Sequence, residues 1–83
     1  MATTPHAGPG LSNCEQMRRL ADVSKKELAA ERRKLSALSQ KHERDPIKAQ
    51  QLRDEIKALE SKIEDDESQL DVQLNEIAAE CGP

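Results

Sequence analysis

HERDPIKAQQLRDEIKALESKI, residues 42–63, is the stretch that decides the fold. Asp45 is a preferred helix N-cap, and Pro46 suits the first helical position, where the missing amide hydrogen leaves no bond unmade. Proline also drives the residue before it out of helical geometry. One helix therefore ends before Asp45 and another begins at Pro46. Downstream, Ala49, Leu52, Ile56, Leu59 and Ile63 alternate three and four residues apart, as the a and d positions of a heptad do. This second helix should run from 46 to about 81, where Gly82 and Pro83 supply stop signals.

Working backwards, no Gly or Pro interrupts the chain between Asn13 and Asp45. Ser12 and Glu15 have the spacing of a capping box, so a first helix is expected over about 13–44. The same heptad frame places Cys14, Ala21, Leu28, Leu35 and His42 at a, and Met17, Ser24, Glu31 and Leu38 at d. Four seam positions are polar: Ser24, Glu31, Asp66 and Gln73. After Leu70 the apolar residues drift to Leu74 and Ala78, which predicts a local phase shift. Residues 1–11, with Pro5, Gly8, Pro9 and Gly10, read as a disordered tail. The remainder, 12–83, reads as one helical hairpin with its turn near 43–46.

Composition agrees with an all-α chain. Of 83 residues, 35% are hydrophobic, 35% are charged and none is aromatic. A compact β-sandwich or α/β domain is built around more apolar material than this. Uninterrupted apolar runs are a few residues long, far short of the ~20 needed to cross a bilayer. The opening MATTPHAGPG has neither the basic start nor the apolar run of a secretory signal. Two cysteines make no disulfide framework, so a reducing, cytoplasmic setting is expected.

The frame passes through Asp45 unbroken, so a kinked rod that dimerises in parallel competes with an antiparallel hairpin. Charge decides between them. Up to Arg44 nine basic and five acidic residues give +4; from Asp45 four basic and eleven acidic residues give −7. Such helices attract when folded back on one another. A turn centred near residue 44 sets Leu28 opposite Leu59, Glu27 near Lys62, Lys34 near Glu55, and Arg18 and Lys25 towards Glu60 and Glu67. In that register Arg32 meets Arg53 and Lys41 meets Lys48, two unfavourable pairs. Cys14 and Cys81 fall at the open end, staggered by roughly 8–12 Å along the axis. That is too far for a disulfide, so both are expected as free thiols.

No catalytic constellation is legible. His42 with Glu43 and Asp45 reads as the polar surface of a turn, and no second histidine stands at zinc spacing. The run Glu64-Asp65-Asp66-Glu67 lacks the glycine and alternating ligands of a calcium loop. No cofactor, metal or small-molecule substrate is expected, and the chain is read as not an enzyme. Lys25-Lys26 and Arg32-Arg33-Lys34 form a basic face suited to phosphates. The acidic helix offsets it and no aromatic can stack on a base, so nucleic-acid binding ranks low.

Two helices bury one seam, a thin core for a chain this long. Leu20 and Val23 on the first helix, and Val72, Leu74 and Ala78 on the second, lie off that seam near the open end. A second apolar stripe is what a helical bundle or helix-in-groove recognition requires. These five residues are the candidate partner-binding surface. The outline, an Asp45-Pro46 turn joining heptads of Leu and Ile, is similar to that of type III secretion needle proteins and their co-chaperones, and of Rho-effector hairpins. The likeness is confined to those features, and no family is assigned. The function expected is a non-enzymatic coiled-coil module that binds itself or a partner helix. The alternative is a small adaptor or chaperone covering an apolar helix of a secreted or assembling protein.

Overall fold

A computed structural model describes residues 12–82, and the expected tail 1–11 lies outside the described residues. The chain is an antiparallel hairpin of two helices, α1 (Asn13–Ser39) and α2 (Pro46–Cys81). It forms a rod with extents of 69 × 23 × 15 Å. Among the described residues there is no strand, and no helix is long and apolar enough to cross a membrane.

Local chemistry explains both starts. At α1, the Ser12 hydroxyl accepts from the Glu15 amide at 3.1 Å while the Glu15 carboxylate accepts back from the Ser12 amide. This is the reciprocal arrangement of a capping box. At α2, Asp45 sits in extended backbone geometry and its carboxylate accepts from the Ile47 amide at 2.9 Å, with Pro46 following. At the far end Gly82 takes φ +74°, a left-handed conformation that side-chain-bearing residues rarely adopt.

The end of α1 departs from expectation. The helix stops at Ser39 rather than near residue 44. Its last turn tightens, with the Gln40 and Lys41 amides donating to the carbonyls of Ala37 and Leu38. The reason is reach. Packed helix axes stand 8–10 Å apart, and one extended residue spans at most ~3.6 Å. Asp45 alone cannot carry the chain across, so residues 40–45 unwind although their helix propensity is fair.

That unwinding resets the register. Lys62 pairs with Glu31, Arg32 pairs with Glu67, and Cys14 is joined to Cys81. Leu28 shares a hollow with Glu67 and Leu70, so its level on α2 is not that of Leu59. Relative to the expected pairing, α2 has slid by about one heptad. A slip of seven residues, ~10 Å, keeps the same a and d faces inward while changing every cross-helix partner. The unfavourable Arg32–Arg53 meeting disappears. The first turns of α2 lie beside the loop instead, where Lys48, Leu52 and Glu55 line a hollow with Lys41 and Glu43.

The seam itself is as the heptad predicts. Ala21, Leu28, Leu38 and Ile63 are buried. Met17, Leu35, Leu52, Ile56, Leu59, Leu70 and Ile77 are half-buried, as are polar Ser24, Glu31, Asp66 and Gln73. The expected phase shift after Leu70 does not occur: Gln73 and Ile77 face inward while Leu74 and Ala78 are exposed. Four buried side chains are a small core, and a covalent link supplements it.

That link is the Cys14–Cys81 disulfide, with Cα atoms 5.8 Å apart, which corrects the expectation of free thiols. The one-heptad slide is the physical reason, since it removes a stagger of the same size. The bond closes a chain separation of 67 residues. In the chain-entropy picture such a loop stabilises the fold by about 4 kcal/mol.

Candidate interaction surface

The heptad geometry sorts the off-seam residues onto two flanks of the rod. Positions c and g of both helices share one flank, and positions e and b share the other. Leu20 is a g residue and Val23 and Val72 are c residues, so these three share a flank. Leu74 at e and Ala78 at b lie on the opposite one. The hollows along the rod report the same division. Leu20 lines one of about 200 Å³ with Met17, Gln73 and Glu76. Val72 lines the next, of about 340 Å³, with Ser68, Gln69 and Gln73. Gln69 also borders a third, with Ser24, Glu27, Lys62 and Asp66. Shared lining residues make these a continuous shallow trough along the c/g flank. On the other side, Leu28, Arg32, Glu67, Leu70 and Asp71 line a separate hollow.

Exposure follows. Leu20 is 61% exposed, Val23 52% and Val72 57%, against 39% for Leu74. Ala78 is exposed. The five residues expected as one surface therefore divide by heptad position, three on the c/g flank and two on the e/b flank. Ile47 is 70% exposed in the first turn of α2. It lies at the turn end of the rod, away from the spare apolar residues that spacing groups near the open end.

A polar cluster borders the trough. Lys62 Nζ donates to Glu31 Oε2 at 2.7 Å and to Asp66 Oδ2 at 2.9 Å. Glu31 and Asp66 are the polar seam residues of successive layers, so one exposed ammonium serves two carboxylates that the coiled coil would otherwise leave unpaired. Hydrogen bonds to Asp66 and Glu31 raise the Lys62 pKa well above the ordinary lysine range. Asp66 is held below the ordinary carboxylate value, first by the bond from Lys62 and next by the adjoining Glu31 carboxyl. Glu31 Oε1 and Gln73 Oε1 are buried with no hydrogen-bond partner. Both lie on the seam beneath this flank, where polar atoms replace the apolar layers that would tighten the rod.

Among the described residues, no three His, Cys, Asp or Glu side chains converge in a way that could hold a metal ion. His42, Glu43 and Asp45 are exposed in the connecting loop, where Asp45 caps α2. Compared with known proteins, the chain matches no family model, no curated protein and no solved structure.

Proposed function

We propose that the chain is a non-enzymatic interaction module, a disulfide-closed helical hairpin that offers its c/g flank to another helical surface. The observation that carries this reading is the exposure of Leu20, Val23 and Val72 together on one flank. Three exposed apolar side chains on one flank, two of them beside hollows sized for further side chains, are the makings of a helix-on-helix contact. Isolated exposed apolar residues would need no such account.

The adaptor reading, in which the hairpin covers an apolar helix of another protein, uses the same flank and differs only in the occupant. A nucleic-acid arm finds less support, because Arg32 of the basic helix is already engaged by Glu67. The expected cytoplasmic placement rests on two cysteines making no disulfide framework, and the Cys14–Cys81 bond weighs against it. Disulfides persist in oxidising surroundings, and we place the module's working form there.

Photo-crosslinking in cells tests the reading. A photoreactive residue in place of Leu20 should give discrete adducts, with itself or with another protein. The same probe at Lys57, on the e/b flank of α2, should give none. Equal labelling from both sites, or none from either, would defeat the proposal.

A further inference from the structure

We propose that the Cys14–Cys81 bond is a register lock, and that a dithiol reductant releases α2 to slide one heptad along α1 into a second folded register. The slide concerns the rod itself and holds whichever flank binds. Three observations lead there.

The first is the seam. The bond, with the Lys62–Glu31 pair, sets the levels of the two helices. In the heptad frame Leu35 lies level with Leu59, Leu38 with Ile56 and Met17 with Ile77, apolar on both sides. Leu28 lies level with Asp66, and Ala21 with Gln73, whose Oε1 is buried with no hydrogen-bond partner. Sliding α2 by one heptad towards the open end sets Leu28 level with Leu59, Leu35 with Leu52, Leu38 with Ala49 and Met17 with Leu70. Ile77 is uncovered, and Leu52 and Ala49 are covered in exchange. The seam keeps its length and gains an apolar layer at its centre. Gln73 moves level with Cys14, in the first turn of α1, where water can satisfy its carbonyl.

The second is the turn. Residues 40–45 connect the helices, and Gln40 to Arg44 include no Gly or Pro that would bar them from a helix. In the slid register Gln40 and Lys41 extend α1. Residues 42–45 then cross the gap of about 8–10 Å between axes, a loop of the usual length for helical hairpins, about two to five residues. Asp45 and Pro46 still start α2.

The third is the bond. Its Cα atoms are 5.8 Å apart. A slide of ~10 Å carries them past the ~7 Å limit of a disulfide, so the bond and the slid register exclude each other. Both cysteines are half-buried at the open end of the rod rather than enclosed in its core. One thiolate of the reductant attacks a sulfur of the pair, and the other sulfur leaves and takes a proton. The reductant's second thiol then displaces the remaining cysteine, which is protonated in turn. Two electrons and two protons pass to the protein, and the reductant becomes the disulfide. Charge decides little. The slide gives up Lys62–Glu31 and sets Arg32 near Arg53 and Lys41 near Lys48, while it brings Lys34 to Glu55 and Lys62 to Glu27. Such pairs at a wetted surface are weak, and the apolar layers prevail.

The test uses the full chain, well below its melting temperature. A zero-length carbodiimide crosslinker joins touching amines and carboxylates, and mass spectrometry of adducts within single chains reads the register. The oxidised chain should give Lys62–Glu31. On reduction Lys34–Glu55 should rise roughly tenfold and Lys62–Glu31 should fall, with helical circular dichroism retained. Leu52→Gln removes an apolar layer from the slid register and none from the oxidised one, so its reduced form should keep the Lys62–Glu31 adduct. Loss of helix on reduction, adducts unchanged by reduction, or a Leu52→Gln variant that still switches would each overturn the proposal.

Discussion

Cys14 and Cys81, at opposite ends of the sequence, stand with their Cα atoms 5.8 Å apart and are bonded across the open end of the hairpin. The bond does more than tie two ends. A one-heptad slide of α2 along α1 would preserve every inward-facing position, so the apolar seam by itself discriminates weakly between registers. The disulfide permits only one of them. Reduction, or Cys14→Ser, should cost about 4 kcal/mol in the chain-entropy picture. For a domain this small that lowers Tm by at least about 15 °C. Melting curves by circular dichroism with and without a thiol reductant measure it, and superimposable curves would mean that the bond does not form.

How much of this was legible beforehand depends on the kind of information. The seam was, because a and d positions follow from spacing: Ala21, Leu28, Leu38 and Ile63 are the buried residues and all are heptad positions. The capping box at Ser12 and the Asp45-Pro46 start followed from side-chain chemistry. The register was not legible, because it depends on how many residues the reversal consumes. Gln40 to Arg44 carry no Gly or Pro to announce that they unwind; the gap between helix axes forces it. From that single miss came the wrong partners for Leu28 and Arg32, and the reading of two free thiols.

Within the seam, Leu28 should matter more than Leu59. Leu28 is 3% exposed, whereas Leu59 is half-buried. Leu28→Ala should destabilise the chain by about 2–4 kcal/mol. Leu59→Ala should cost less, and Lys57→Ala on the outer face should stay within about 0.5 kcal/mol. Urea unfolding of the three variants ranks them; Leu59→Ala costing as much as Leu28→Ala would restore the register that a turn at residue 44 implies.

The Glu31–Lys62–Asp66 cluster predicts a pH profile. Asp66 has its folded pKa lowered by Lys62, so its contribution is present above its ordinary value of 3.8 and is lost as pH falls through the folded value. Lys62 has its folded pKa raised, so its contribution is present below 10.5 and is lost as pH rises through the folded value. Stability should be flat between these limits and fall beyond each. Lys62→Met should lower the plateau modestly, since the ammonium is exposed and screened, and shift the acid fall of Asp66 towards ordinary carboxylate pH. Chemical denaturation midpoints from pH 2 to pH 11 follow the acid limb and the onset of the basic one, and an acid limb unchanged in Lys62→Met would show that Lys62 does not hold Asp66.

Leu20 and Leu74 provide the sharpest separation, because spacing alone groups them while the fold parts them. Both are apolar, off the seam and near the open end. Leu20 lies on the c/g flank beside Met17, Gln73 and Glu76, whereas Leu74 lies on the e/b flank with Ala78. If the c/g flank is the binding face, Leu20→Lys places an ammonium within the contact. It must then be desolvated without a partner or the surfaces must separate. Leu20→Lys should therefore weaken association at least tenfold, equivalent to about 1.4 kcal/mol. Leu74→Lys should leave it within twofold, because the new charge points away from the partner. Neither change should alter helicity, since both side chains are already solvent-facing in the single hairpin, at 61% and 39% exposure. Light scattering across a concentration series reads the association, and circular dichroism reads the fold. Equal losses from both substitutions would mean that the two flanks act together, with the rod embraced on both sides. A loss confined to Leu74→Lys would move the binding face to the e/b flank, where Arg32 and Glu67 would form its border.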